Sequence, residues 1–126
     1  MFQLSERSID RLNGVHDDLV EVVNLAIKTT TIDFVVLEGL RTLDRQKELL
    51  RAKATRTLNS RHLVGKAVDL GAIVGGKITW HPQAYHKIAE AMLASADKLN
   101  IKLTWGGIWE SFPDLVHFEL DRNFYK

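Results

Sequence analysis

Two short stretches constrain what this 126-residue chain can fold into more than any other feature. Lys66–Leu70 alternates, with Val68 and Leu70 on one side and Ala67, Asp69 and Gly71 on the other. Val116–Leu120 does the same, with Val116, Phe118 and Leu120 opposite His117 and Glu119. A strand sends successive side chains to opposite faces, so each stretch joins an apolar face to one bearing a metal-ligand type of side chain. That pattern predicts a half-buried sheet with a site on its open face.

His62 lies seven residues before Asp69, on the loop leading into the first of these strands, with Gly65 between them. Neutral imidazole and carboxylate both bind zinc, yet a single His and Asp at this spacing is more often a pair of surface residues. His117 on the second strand supplies a third ligand. Two histidines and one aspartate leave the fourth position of a tetrahedral zinc free for water, the catalytic arrangement. Asp114, three residues ahead of His117 at the strand's entry, can reach that water as a general base. The chain has no cysteine, so any metal must sit on nitrogen and oxygen ligands.

The rest of the chain predicts one α+β domain over residues 1–126, with no second, wall-binding domain. Ser5 caps a short helix ending near Gly14, and Asp17-Asp18 opens a second helix with Leu19, Val22, Val23, Ala26 and Ile27 as its core stripe. Phe34–Leu40 reads as a buried strand, and Thr42 and Asp44 open a helix to about Ala52. Lys53–Leu58 reads as an exposed basic loop beside the cleft. Gly75-Gly76 marks a hairpin into Lys77-Ile78-Thr79. Pro82 starts a helix with a stripe of Tyr85, Ile88, Met92, Ala96 and Leu99, and Leu103 and Trp105 suggest another strand. The expected fold is a small, largely antiparallel sheet with helices packed on one side and a zinc site on the open face. Trp80, Trp105 and Trp109 are candidates to wall a cleft, although buried packing suits at least one of them. His16, His81 and His86 lack companions in any pattern and read as surface residues.

A net charge of +1 gives no basis for a nucleic-acid or membrane-surface partner. No apolar run approaches a membrane span, and the N-terminus lacks the regions of a signal peptide. Synthesis and retention in the cytoplasm are therefore expected.

Ser60, His62, Gly65, Ala67 and Asp69 form an S-x-H-x-x-G-x-A-x-D segment. It resembles the signature of the zinc D-Ala-D-Ala carboxypeptidase and L-alanyl-D-glutamate peptidase family. The D-x-x-H-F-E-L ending, with Asp114 and His117, resembles the phage endolysin branch, as does E-G-L-R-T over 38–42 followed by Gln46. The likeness runs from about Leu4 to Leu120, with the three motifs in family order. It implies that His62, Asp69 and His117 hold zinc, that Asp114 is the general base, and that Arg41 steadies the developing oxyanion. On position alone, Arg41 suits a solvated or salt-bridging role equally well. Ser60 either bonds a substrate carboxylate or pins its own loop.

The implied activity is hydrolysis of the L-Ala-D-Glu bond in peptidoglycan stem peptides, with a D-Ala-D-Ala carboxypeptidase as the alternative. A catalytically impaired, zinc-containing wall-binding module is the third reading. It is motivated by Ile108, which stands where relatives commonly carry Asp in W-G-G-D-W; Leu115-Val116 also replaces a frequent Gly-Pro-like pair. A monomer without stable membrane association is expected. It would act on periplasmic peptidoglycan after a holin-type partner permeabilises the host membrane.

Overall fold

The computed structural model of the chain describes residues 1–55, 57 and 59–126. Among the described residues, four α-helices and five strands follow the order α1 (Glu6–Arg11), α2 (Asp17–Thr29), β1 (Asp33–Glu38), α3 (Leu43–Arg51), β2 (Ala67–Val74), β3 (Lys77–Thr79), α4 (Pro82–Lys98), β4 (Leu103–Trp105) and β5 (His117–Leu120). Two 3-10 turns, Arg61–Val64 and Gly106–Ile108, complete it. The element order is the one predicted. Of the expected basic loop 53–58, Arg56 and Leu58 lie outside the described residues.

All strand pairings are antiparallel, in the order β1-β2-β5-β4, with β3 also on β2. The eight residues of β2 make this possible. Its first half, Ala67–Asp69, pairs with β5, and its end, Ala72–Val74, pairs with β3 across the Gly75-Gly76 turn. β1 covers the other edge of β2.

The apolar faces meet in one core. The stripe of α2 packs with Tyr85, Ile88, Met92 and Ala96 of α4 over Val68, Leu70, Phe118 and Leu120 of the sheet. These side chains are almost wholly removed from water, which is the dominant favourable contribution to folding. The Tyr85 hydroxyl is satisfied inside the core: it donates to Thr79 O at 2.9 Å and accepts from Ala72 N at 3.1 Å. At the free edge of β1, α1 substitutes for a neighbouring strand. Ser8 Oγ accepts from Val36 N, and Arg11 donates to Val36 O, both at 2.9 Å. Helix α3 gives no residue to this core; its buried residue is Gln46, and it borders the cleft on the opposite face.

His16 departs from the surface role expected of it. It is half-buried, N-caps α2 by accepting from Asp18 N through Nδ1 at 3.1 Å, and meets Tyr125 edge-on. Its position just before an acidic first turn was the available signal.

Candidate metal centre and active-site cleft

Three elements bring the predicted ligands together. Asp69 and His117 are register partners on β2 and β5, so the ladder itself sets their side chains beside each other on the face away from the core. His62 arrives from the 3-10 turn Arg61–Val64. Ser60 caps this turn by accepting from His62 N at 3.2 Å, and Gly65 closes it with a φ of +70°. A side chain at Gly65 would be doubly penalised, because its Cβ would sit 2.3 Å from Gly14 O. Gly65 O also accepts from His16 N at 2.8 Å, tying the turn to the start of α2.

A bulge at Val36/Glu38 in β1 skips Leu37 and sets Glu38 opposite Asp69. The chain then turns so that Gly39 O lies 2.8 Å from Nδ1 of His62. A carbonyl only accepts, so His62 Nδ1 donates to Gly39 O, and Nε2 is the ring nitrogen turned to Asp69 Oδ1, 3.1 Å away. On the other ring, Nε2 of His117 lies 2.8 Å from Oε1 of Glu119, and Nδ1 lies 3.1 Å from the same Asp69 Oδ1. One atom each from His62, Asp69 and His117 therefore converge within 4.8 Å of one another.

The donor set suits a divalent cation. Two imidazole nitrogens face one carboxylate oxygen, and both rings are fixed in tautomer by a carbonyl or carboxylate behind them, as metal-ligating histidines characteristically are. Burial pushes the Asp69 carboxyl up, but hydrogen bonds from His117 and His62 and their charge outweigh it and hold the group well below the usual carboxylate range. Burial pulls His117 down, but its bonds to Asp69 and Glu119 raise it to about 9. Burial raises Glu119, yet His117 and Arg122 bring it down to about 2, so it is ionised and purely an acceptor. The open face thus sets two carboxylates, Asp69 and Glu119, against the His117 ring.

The cluster floors a cleft of about 560 Å³. Asp114 lines it and is half-buried; burial and the charge of Asp69 raise its pKa, which His117 and the Val116 N–H only partly offset. The chain before it is held without the acidic residue missing at position 108. Asp114 N donates to Gly106 O at 2.9 Å, and Trp105 Nε1 donates to Leu115 O at 2.8 Å. Gly106 is needed there, since a Cβ would lie 2.6 Å from Asp114 O. Ile108 itself points outward, 71% exposed.

Arg41 sits beside the His62-Asp69-His117 cluster, its Nη2 3.9 Å from Asp69 Oδ2. It donates from Nε and Nη2 to Glu38 and from Nη1 to Gln46 Oε1 at 2.7 Å, which leaves two of its five N–H groups for other partners. Gln46 is fully buried and donates onward to Thr57 O at 2.6 Å, joining Arg41 to the far wall. Ser60 lines the cleft as well as capping its turn.

The tryptophans divide. Trp109 lines the cleft with its ring 5.2 Å from that of His117, whereas Trp105 is buried, stacks near Phe118 and meets His86 edge-on. Trp80 stands outside the cleft, exposed and stacked on Tyr85.

Sequence reasoning did not assign Glu38, Arg61 and Arg122 to the site. Glu38 reads as an interior residue of a strand until the bulge is known. Arg61 approaches Glu119 from a distant turn, whereas Arg122 bonds it from three residues further along the chain.

An antiparallel α+β fold with a His-Asp-His cluster on its open face, beside a carboxyl group of raised pKa, defines a metallopeptidase-type enzyme. Comparison with known proteins narrows the class. The description of the phage L-alanyl-D-glutamate peptidases matches residues 1–126. The chain is 29% identical over 129 residues to the L-alanyl-D-glutamate peptidase of Escherichia phage T5, covering 98% of this chain and 93% of that one. It is 26% identical over 122 residues to an L-alanyl-D-glutamate peptidase of a Listeria phage, covering 94% of this chain but 42% of the longer relative. The crystal structure of the Serratia marcescens L-Ala D-Glu endopeptidase ChiX superposes with a TM-score of 0.92 at 41% identity, covering 98% of this chain and 93% of that one. The chain belongs to the phage L-alanyl-D-glutamate peptidase family, the endolysin-type peptidoglycan hydrolases.

Proposed function

We propose that His62, Asp69 and His117 hold one zinc ion, and that the cleft hydrolyses the L-Ala-D-Glu bond of peptidoglycan stem peptides with Asp114 as general base. The observation that carries this reading is the convergence of the three ligand atoms within 4.8 Å, both rings anchored from behind. Nitrogen and oxygen ligands in this number suit zinc. Bound there, zinc supplies Lewis acidity and makes water a nucleophile near neutral pH.

The chain's own groups supply the rest. Asp114, its basicity raised by burial and by Asp69, takes the proton of the attacking water and passes it to the departing amine of D-Glu. Arg41 turns its two remaining N–H groups toward the oxygen that gains charge as the carbonyl becomes tetrahedral. Glu38 and Gln46 hold that guanidinium in place. Ser60 fixes the turn carrying His62 and offers its hydroxyl at the cleft wall, while Trp109 shields the His117 side from water.

We further read residues 1–126 as one peptidase unit that acts as a monomer. No helix among the described residues is long and apolar enough to cross a membrane. The endolysin family relationship supports access to periplasmic peptidoglycan from the host cytoplasm through a holin-type partner.

Product analysis of digested peptidoglycan tests the bond assignment. New N-terminal D-Glu with released stem peptides is expected. Free D-Ala as the sole product identifies a carboxypeptidase instead, and no product from a zinc-loaded protein identifies a wall-binding module.

A further inference from the structure

Glu119 is a charged side chain only 3% exposed, and the hydrolytic steps above make no use of it. Its surroundings account for both carboxylate oxygens. Oε1 accepts from His117 Nε2 at 2.8 Å, and Oε2 accepts from Arg122 Nε at 2.9 Å with Arg61 Nε 3.9 Å away. Neither oxygen is free to serve as a base at the ligand cluster. The position is also built to receive it: Glu119 faces the small, buried Ala67 across the β2–β5 ladder, two residues along from the Asp69–His117 pair.

The consequence for His117 is specific. An imidazole on a strand can turn either ring nitrogen toward a ligand site. With Glu119 Oε1 2.8 Å behind it as acceptor, Nε2 donates, and Nδ1 is the atom presented to the cluster, 3.1 Å from Asp69 Oδ1. Arg61 extends the arrangement. It belongs to the 3-10 turn that carries His62, and its Nη2 donates to Leu120 O at 3.1 Å and Tyr125 O at 2.7 Å. Those bonds tie the turn bearing His62 to the end of β5 and hold the Arg61 guanidinium charge 3.9 Å from the Glu119 carboxylate.

We propose that Glu119 is the positioning residue of the centre: held by Arg122 and Arg61, it fixes His117 in the Nδ1-ligating tautomer and so sets the affinity for zinc. This rests on His117 being a ligand, as proposed above. A carboxylate behind a metal-bound histidine typically changes metal affinity by about 10- to 100-fold.

The test measures zinc affinity by competition with a chromophoric chelator, together with ring 15N shifts of His117 in the zinc-loaded protein. In the wild type the shifts should report a protonated Nε2 and a ligating Nδ1. Glu119→Ala is expected to weaken zinc binding about 10- to 100-fold. Glu119→Gln, which keeps an acceptor for Nε2 but loses the charge, should fall between the two. Should Glu119→Ala fail to fold, the Gln variant and the wild-type 15N shifts decide. Wild-type affinity in a folded Ala or Gln variant, or ligation through Nε2, overturns the proposal. His117→Ala separates the two levels: if it binds zinc as tightly as wild type, the ligand assignment itself falls, and the role of Glu119 with it. If only Glu119 substitution is silent, the ligand set stands alone.

Discussion

Asp69 and His117 face each other across the β2–β5 ladder, and Oδ1 of Asp69 lies 3.1 Å from Nδ1 of His117. Backbone hydrogen bonding, rather than a flexible loop, thus sets the distance between two of the three proposed ligands. A site built on paired strands holds its geometry more tightly than one built on loops. The third ligand depends on the short turn after Ser60, so the turn and the ladder can be perturbed separately.

The turn is the fragile half. Gly65→Ala must hold a left-handed backbone and place a Cβ 2.3 Å from Gly14 O. A destabilisation of roughly 1–3 kcal/mol or more is expected from the strained backbone and the clash. Thermal denaturation checks this; a Tm equal to wild type would show that the turn relaxes without cost.

Asp114→Asn keeps size and hydrogen bonding but removes the proton acceptor. The variant should fold and load zinc, yet lose turnover by roughly 100- to 10,000-fold. Near-normal hydrolysis would leave Asp114 as a turn residue before β5. Because burial and the Asp69 charge raise its pKa, the acid limb of the wild-type kcat/KM profile should lie above that of an ordinary aspartate, with activity lost as pH falls through it.

Arg41→Ala should lower kcat by on the order of 100- to 1000-fold while zinc stays bound, as expected for a donor that acts on developing charge. An unchanged rate would reduce Arg41 to the partner of Glu38 and Gln46. Gln46→Ala offers a graded comparison, since it removes one of the bonds that aim the guanidinium.

Metal removal exposes the titration of His117 and Glu119. His117 is raised from 6.5 to about 9, so its contribution to stability is fully present below pH 6.5 and lost as pH rises through about 9. Glu119 is lowered from 4.5 to about 2, so its contribution is present above pH 4.5 and lost as pH falls through about 2. The chelated protein should therefore gain most from this pair between pH 4.5 and 6.5. The Tm difference between wild type and Glu119→Gln across pH measures it, and a difference that does not vary with pH would contradict the pairing.

Much of this was legible in the sequence because periodicity reports burial directly. The α2 stripe, the Gly75-Gly76 hairpin, the Thr42 cap and the alternation around Asp69 and His117 each follow from local patterning. What stayed hidden depends on contacts between distant segments. The bulge that sets Glu38 opposite Asp69 leaves no trace in residue types, and neither does the approach of Arg61 to Glu119. The H-x-E spacing of His117 and Glu119 did place both on one face. It could not say that the carboxylate would stand behind the ring rather than beside the ligands. Ile108 raised a question about how Asp114 is held, and the bonds from Asp114 N to Gly106 O and from Trp105 Nε1 to Leu115 O supply the answer.

Native mass spectrometry of the purified protein and its His117→Ala variant decides whether His62, Asp69 and His117 hold zinc. One zinc per wild-type chain is expected, removed by chelation and restored on adding zinc, with none retained by His117→Ala. Full zinc occupancy in the folded His117→Ala protein would contradict it.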